Sequence, residues 1–180
     1  MARLLPDRLQ TERLVLREPR EADARMLFDA YTQDIEVARY MVWRPHTALA
    51  ETEAFIAQCI QDWAAGHRQP YVVALREDVH HAVGMLEART PSHVVDIGYV
   101  LARSLWGRGL MPEAIRALTE AALAVPGFFR IQATCDVENR TSARTLEKSG
   151  FVREARLERY TLHPNVSPEP RACFMYARCR

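Results

Sequence analysis

A short glycine-rich stretch carries the clearest chemical signal in this sequence. Two glycines flank an arginine at Gly107-Arg108-Gly109, between an apolar run at 93–101 and a helical pattern that starts at Met111. Glycine allows positive φ and lets a ligand approach the bare main chain. The helix start offers unpaired N–H groups and the positive end of the helix dipole, and Arg108 could add a charge-assisted contact. The stretch therefore predicts a diphosphate site, although an ordinary turn has the same residue types.

The spacing around these glycines argues against two common phosphate ligands. The third glycine position of the dinucleotide fingerprint G-x-G-x-x-G falls on Pro112. The P-loop ending in Gly-Lys-Ser/Thr is also missing from the sequence. We therefore expect the ligand to be neither a nicotinamide dinucleotide nor a nucleoside triphosphate.

The patterns on either side of the glycines define the elements that must position them. The run at 93–101 predicts a strand, and apolar residues at helical spacing predict a helix from Met111 to Val125. Alternating runs predict further strands at 13–18, 70–77, 81–89, 128–137, 152–161 and 171–177, with a hairpin turn at 78–80. Further helices are predicted at 21–31, 35–41 and 141–149, and from a cap at Thr47 to Ala65, with Gly66 and Gly150 as helix stops. This order predicts an α/β (α+β) domain with a mixed sheet of about seven strands.

Length and composition narrow the class of protein. The 180 residues are expected to form one domain over 1–180, and 48% hydrophobic residues can build a core. Lys+Arg of 24 against Asp+Glu of 23 gives +1, which does not favour a nucleic-acid or membrane partner. The 4 cysteines lack C-x-x-C spacing, so we expect free thiols and no metal. No apolar leader is visible at the N-terminus, so the expected location is cytoplasmic.

Three motifs together resemble one family. Ile97-Gly98-Tyr99, Trp106-Gly107-Arg108-Gly109 and Glu113-Ala114 resemble the acetyl-coenzyme A motif of the GNAT acetyltransferase superfamily. The stretch from Asn139 to Phe151 resembles its second motif. The opening Thr11-Glu12-Arg13-Leu14-Val15-Leu16-Arg17 is similar to that of the branch of ribosomal-protein N-terminal-alanine acetyltransferases. The resemblance covers essentially the whole chain in the same order.

The resemblance implies where acetyl-coenzyme A would bind. The mostly antiparallel sheet, with helices on both faces, would splay between the strands at 93–101 and 128–137, and the pantetheine arm would lie in that gap. It implies main-chain contacts near Tyr99, Val100 and Leu101, and a side-chain contact from Asn139. The diphosphate would rest on the backbone of Trp106, Gly107, Arg108, Gly109, Leu110 and Met111.

Two positions depart from the family pattern. Met111 stands where the family has Gly or Ala, which puts the local path of the loop in question. Leu146 stands where many members carry a tyrosine that protonates the leaving thiolate. The chain therefore lacks that acid.

Two polar residues are candidates for the catalytic steps. No G-x-S-x-G nucleophile elbow occurs in the sequence, which favours direct attack by the amine. The resemblance implies Asp96 as general base, acting directly or through a water, and Ser142 as donor to the thiolate or the carbonyl. Alternatively, Asp96 is a solvent-facing strand residue and Ser142 caps the helix.

The resemblance also implies an acceptor pocket lined by Trp43 and Arg44, although Trp43 could equally pack its own loop. His46 and His163 each lie beside a proline, and such loop histidines are expected to be solvated.

The expected function is an acetyl-coenzyme A-dependent N-acetyltransferase. A protein N-terminal α-amine is the first expected acceptor and a small-molecule amine the second. The alternative is a non-catalytic acyl-coenzyme A-binding or sensor module, and a homodimer through the C-terminal strands is compatible with either.

Overall fold

One mixed sheet organises the computed structural model, which describes residues 4–66 and 68–180. Its strand order is β1-β2-β3-β4-β5-β6-β8-β7, and neighbours pair antiparallel except β5 and β6, which are parallel. The strands are β1 (Arg8–Gln10), β2 (Leu14–Arg17), β3 (Arg68–Leu75), β4 (Asp78–Arg89), β5 (Val94–Leu101), β6 (Arg130–Asp136), β7 (Val152–Thr161) and β8 (Arg171–Cys179). The predicted mixed sheet is confirmed.

Helices lie on both faces of this sheet. They are α1 (Asp23–Leu27), which continues as a π-helical turn (Phe28–Thr32), α2 (Ile35–Ala38), α3 (Leu49–Ala65), α4 (Leu110–Ala124) and α5 (Arg140–Lys148). On one face, Leu118 of α4 and Leu146 of α5 pack in a core cluster with Ile97 of β5. On the other, Ile56 of α3 packs in a second cluster with Met85 of β4. Both apolar layers come from the periodic patterns that the sequence shows.

Two glycines end helices as the sequence predicts. Gly66 and Gly150 both have a φ of 85°. After α5, the N–H of Phe151 donates to the Leu146 carbonyl (3.1 Å) and the N–H of Gly150 to the Glu147 carbonyl (3.0 Å). These two bonds define a Schellman motif, and Leu146 and Phe151 share the same core cluster. The stop fixes where α5 ends.

The sheet has one strand beyond the seven that alternation predicts, β1, whose 3 residues are too few to show alternation. Two local predictions are wrong. The β3–β4 hairpin turns at 76–77 instead of 78–80, because bulges on either side of Ala74 shift the register. The cap of α3 is Ala48, since the N–H and hydroxyl of Thr47 donate to the Glu51 carboxylate at 2.6 and 3.0 Å.

Within residues 4–66 and 68–180, every helix is too short or too polar to cross a membrane.

Candidate active site

A gap opens in the middle of the sheet between β5 and β6. The two strands pair only at Val94–Arg130, Val95–Ile131 and Asp96–Gln132. Beyond Asp96, β5 stays paired with β4 as far as Leu101, and β6 stays paired with β8 as far as Asp136. The main chain of each strand therefore has one edge facing the gap.

The register decides which backbone groups of β5 face this gap. The N–H of Ala102 donates to the Val83 carbonyl (2.9 Å). Alternation along an antiparallel pair then directs the backbone groups of Val100 toward β4, and those of Tyr99 and Leu101 toward the gap. The Leu101 carbonyl accepts from the Trp106 indole Nε1 (2.8 Å). This geometry favours Tyr99, and not Val100, as the main-chain contact for an extended ligand.

The loop after β5 is shaped by its two glycines. Gly107 and Gly109 have φ values of 76° and 75°, which L side chains rarely adopt. A Cβ on Gly107 would meet nothing within 4 Å, so the loop surface is open there. The N–H of Trp106 donates to the Arg103 carbonyl (3.1 Å), but in the part of the chain that the structure describes no backbone carbonyl accepts from the N–H groups of 107–111. The loop and the start of α4 together can bind an anion.

Met111 does not obstruct this loop. Its side chain is 6% exposed, and Leu110 beside it is 5% exposed. Both belong to the core cluster under α4. The Met111 side chain, which departs from the family pattern, therefore packs in the core, while Arg108 is exposed on the loop.

The start of α5 lies across the gap from β5. Asn139 is the N-cap, and its Oδ1 accepts from the Ser142 N–H (3.1 Å), which leaves its Nδ2 as a donor. The Ser142 Oγ lies 2.7 Å from the Tyr99 hydroxyl. Leu146, by contrast, is 0% exposed in the core. Two hydroxyl groups thus lie at the gap, while the position of the family's tyrosine is closed.

Asp96 lies at the last paired position before the gap and is held by two neighbours. Its Oδ1 accepts from Arg89 (2.6 Å) and its Oδ2 from Gln132 (3.2 Å). These two neighbours are hydrogen-bonded in turn: Arg89 donates to Glu87 (2.8 Å), and Gln132 accepts from Arg130 (2.8 Å). The Asp96 side chain is 31% exposed, so water can still reach the carboxylate.

The segment expected to line the acceptor pocket is packed from both sides. The Trp43 ring lies 6.5 Å from the Tyr31 ring and 5.6 Å from the His46 ring. Asn165 of the β7–β8 connection donates through Nδ2 to the carbonyls of Trp43 (2.8 Å) and Ala38 (2.7 Å). These contacts favour a packing role for Trp43, whereas Arg44 is exposed.

His163 is not solvated, and that expectation is wrong. It is 5% exposed, and its Nε2 lies 3.8 Å from an Asp136 carboxylate oxygen and 3.8 Å from the Cys173 sulfur. Burial lowers the pKa of His163, although the Asp136 charge acts in the opposite direction. A proline beside a histidine therefore does not indicate that the histidine is exposed. Among the described residues, no group of His, Cys, Asp and Glu is arranged to hold a metal ion.

Sequence reasoning missed three side chains of the site. It assigned Tyr99 a main-chain contact only, and it gave Asp96 no partners. A signal for Arg89 was present, because Arg89 ends β4, Asp96 lies near the start of the next strand, and the two carry opposite charges. Gln132 could have been placed by its position on the polar face of β6. The side-chain reach of Tyr99 to α5 had no sequence signal.

Comparison with known proteins identifies the family. A family model described as an acetyltransferase (GNAT) domain matches residues 13–152. The chain belongs to the GNAT acetyltransferase family. An uncharacterized N-acetyltransferase, p20 of Bacillus licheniformis, is 31% identical over 155 residues, which are 84% of this chain and 86% of p20. The protein is an enzyme, an N-acetyltransferase.

Solved structures of other acetyltransferases share the whole fold. The microcin C7 self immunity acetyltransferase MccE, in complex with acetyl-coenzyme A and AMP, superposes with a TM-score of 0.84 at 20% identity over 98% of both chains. RimL, a ribosomal L7/L12 α-N-protein acetyltransferase in complex with coenzyme A, has a TM-score of 0.81 at 20% identity over 97% of both chains. Ribosomal-protein acetyltransferases thus occur among the structural neighbours, as the opening motif suggests.

Proposed function

We propose that this enzyme transfers the acetyl group of acetyl-coenzyme A directly to a primary amine. The observation that supports this most is the gap between β5 and β6, with the main chain of Tyr99 facing it. Beside it lies the loop at 107–111, whose N–H groups donate to no backbone carbonyl of the described residues. A pantetheine arm carries amides that can pair with a strand edge, and a diphosphate needs several donors. These residues fit both parts of coenzyme A.

Each part of the coenzyme has a proposed set of contacts. The main chain of Tyr99 would pair with a pantetheine amide, and the Asn139 Nδ2 would donate to a pantetheine carbonyl. The diphosphate would accept from N–H groups between Gly107 and Met111, with the exposed Arg108 guanidinium adding charge. Trp106 would close the end of the gap through its bond to Leu101.

Asp96 is the proposed general base, acting through a water. It lies where the gap opens and is partly exposed, but both of its oxygens already accept hydrogen bonds. A water that relays the proton has to share this carboxylate with Arg89 and Gln132. The site therefore suits an amine that is easily obtained in its neutral form.

That requirement favours an α-amine over a lysine side chain. An α-amine, with a pKa of about 7.7–8.0, is roughly one-third neutral near pH 7.5, whereas a lysine with a pKa of about 10.4 is about 0.1% neutral. The first proposed acceptor is therefore a protein N-terminal α-amine. RimL, of similar fold, is named as an α-N-protein acetyltransferase, which agrees with this choice. A small-molecule amine is the second proposed acceptor.

Calorimetry followed by an acceptor panel tests the proposal. Acetyl-coenzyme A and coenzyme A are titrated into the protein, with ATP as control, and micromolar binding of both coenzyme A forms but not ATP is expected. Peptides with a free α-amine are then compared with the same peptides blocked at the α-amine but carrying a lysine, and with polyamines, aminoglycosides and amino acids. Coenzyme A binding without transfer to any amine would support the alternative, a non-catalytic acyl-coenzyme A-binding module. Absence of binding would refute both.

A further inference from the structure

The proposed reaction needs a donor for the departing sulfur. When the amine displaces coenzyme A, the electron pair of the carbon–sulfur bond moves onto sulfur, which becomes a thiolate unless it is stabilised or protonated. Leu146, at the position of the family's tyrosine, is apolar and 0% exposed. Any stabilising donor must therefore come from another residue at the gap.

Tyr99 and Ser142 form a hydroxyl pair across that gap. The Tyr99 Oη lies 2.7 Å from the Ser142 Oγ and 3.2 Å from the Ser142 carbonyl oxygen. Tyr99 belongs to β5 beyond its last pair with β6, and Ser142 belongs to the first turn of α5. The Asn139 cap fixes the Ser142 backbone through its N–H (3.1 Å). The pair is thus held from both sides of the gap.

Each of the two hydroxyls can donate only one hydrogen bond. Each carries one hydrogen and can also accept. When the phenol donates to the Ser142 Oγ, the hydrogen of Ser142 must point elsewhere. That hydrogen is then available to a ligand atom in the gap.

The charged and titratable groups around the pair come from four elements. Burial raises the pKa of Tyr99, so the phenol keeps its proton at neutral pH and remains a donor. Burial also raises the pKa of Cys135 on β6 to about 11 and that of Tyr176 on β8 to about 12. Glu147 of α5 accepts from the Tyr176 hydroxyl (3.0 Å). The charge of Arg153 on β7 opposes the rise in the pKa of Tyr176. Cys135, Tyr99 and Tyr176 do not ionise where a free thiol does, near pH 8.5.

We propose that Tyr99 is a positioning residue whose phenol directs the Ser142 hydroxyl at the coenzyme A sulfur, so that Ser142 stabilises the departing thiolate. The inference rests on the proposed function. No proton has to leave either hydroxyl, because the acceptor amine loses one proton as the amide forms and the sulfur gains one as coenzyme A leaves. The pair stabilises charge until that proton arrives.

Coenzyme A and desulfo-coenzyme A distinguish this role from a structural one. The two ligands differ only at the sulfur, so the ratio of their affinities reports the donor. In wild type, the ratio is expected to rise in favour of coenzyme A by about five- to tenfold between about pH 6.5 and about pH 9.5, as the bound thiol ionises. Tyr99→Phe and Ser142→Ala are expected to lose most of this rise and to bind desulfo-coenzyme A as wild type does. For Tyr99→Phe, kcat should fall about tenfold with little change in KM for acetyl-coenzyme A.

Tyr176→Phe is the matched control, since it also removes one buried phenol hydroxyl but leaves the Ser142 contact. It should keep the wild-type ratio at both pH values. A wild-type ratio that does not change with pH, or a full rise in Tyr99→Phe, would overturn the inference. If Tyr99→Phe does not fold, Ser142→Ala and the wild-type ratio still decide whether Ser142 is the sulfur donor. A 3-fluorotyrosine at Tyr99 then tests the phenol: because it is a more acidic donor, the size of the rise should change, and an unchanged rise would overturn the role of Tyr99. A wild type that binds neither ligand would instead refute the proposed function.

Discussion

Arg13 and Glu113 lie 100 positions apart and join two of the motifs that the sequence shows separately. Arg13 bonds Glu113 through its backbone N–H (2.9 Å), its Nε (2.8 Å) and its Nη2 (2.7 Å), while its Nη1 donates to the Arg108 carbonyl (2.9 Å). Thr11 adds a bond to the same carboxylate at 2.6 Å. Burial raises the pKa of Glu113, but the bonds from Thr11 and Arg13 outweigh this and hold it below its ordinary value. The turn between β1 and β2 thus anchors the glycine loop and the start of α4.

Replacing Arg13 with alanine should weaken coenzyme A binding, because the Arg108 carbonyl and the first turn of α4 lose their anchor. We expect the dissociation constant to rise about five- to tenfold, as measured by calorimetry. Arg25→Ala is the control, since it removes a more exposed ion pair, Arg25–Asp29, away from the loop. Equal affinities for all three proteins would mean that the loop holds its shape without Arg13.

Gly109 should be sensitive to substitution because of its backbone conformation. Its φ is 75°, and an added Cβ would lie an ordinary 3.7 Å from the Arg13 Nη2, so strain and not a clash is the expected cost. Gly109→Ala should cost roughly 1–2 kcal/mol of stability and weaken coenzyme A binding, and Gly109→Val should weaken it further. Gly127→Ala, at a φ of 100° with nothing within 4 Å, should lose similar stability but keep its affinity. A parallel loss of affinity in both alanine variants would indicate a general effect of destabilisation.

The order of elements was predictable because each has a local pattern. The apolar stripe of α4, the alternation of β6 and the glycine stop at Gly150 depend on neighbours within a few residues, and all three are confirmed. β1 and the β3–β4 turn were not predictable in this way. A strand of 3 residues has no period, and a bulge at Ala74 moves the turn without a signal in the alternation.

The candidate site was predictable in its main chain more than in its side chains. The glycine loop follows from two glycines next to a helix start, so its position could be read from the sequence. The pairing of Arg89 with Asp96 follows from the β4–β5 register, for which the opposite charges on neighbouring strands give a partial signal. The contact of Tyr99 with Ser142 depends on how α5 packs against β5, and no sequence pattern contains that geometry.

Asp96→Asn should lower turnover without changing coenzyme A affinity if Asp96 is the base. The amide keeps the shape but cannot take a proton, and we expect kcat to fall about hundredfold, at the lower end for a general base, since an α-amine is already partly neutral. Arg89→Gln is the decisive comparison, because it removes the ion pair at 2.6 Å but leaves the carboxylate. It should keep most of the activity. If both variants lose activity and melting temperature equally, Asp96 serves only as the partner of Arg89.

The buried thiol of Cys59 should make the protein lose stability at alkaline pH. Burial raises the pKa of Cys59 from 9.0 to about 12 in the folded chain. The native state therefore holds a proton that the unfolded state releases, so the free energy of unfolding falls as pH rises above about 9, and the contribution is lost by about pH 12. One such group gives a slope of about 1.4 kcal/mol per pH unit within that window.

Cys59→Ala should reduce the slope measured by urea unfolding between about pH 9 and about pH 11, and Cys179→Ala, at an exposed thiol, should leave it unchanged. The same slope in wild type and Cys59→Ala would assign the alkaline loss to other groups, of which Cys135 and Tyr176 have raised pKa values near 11 and 12.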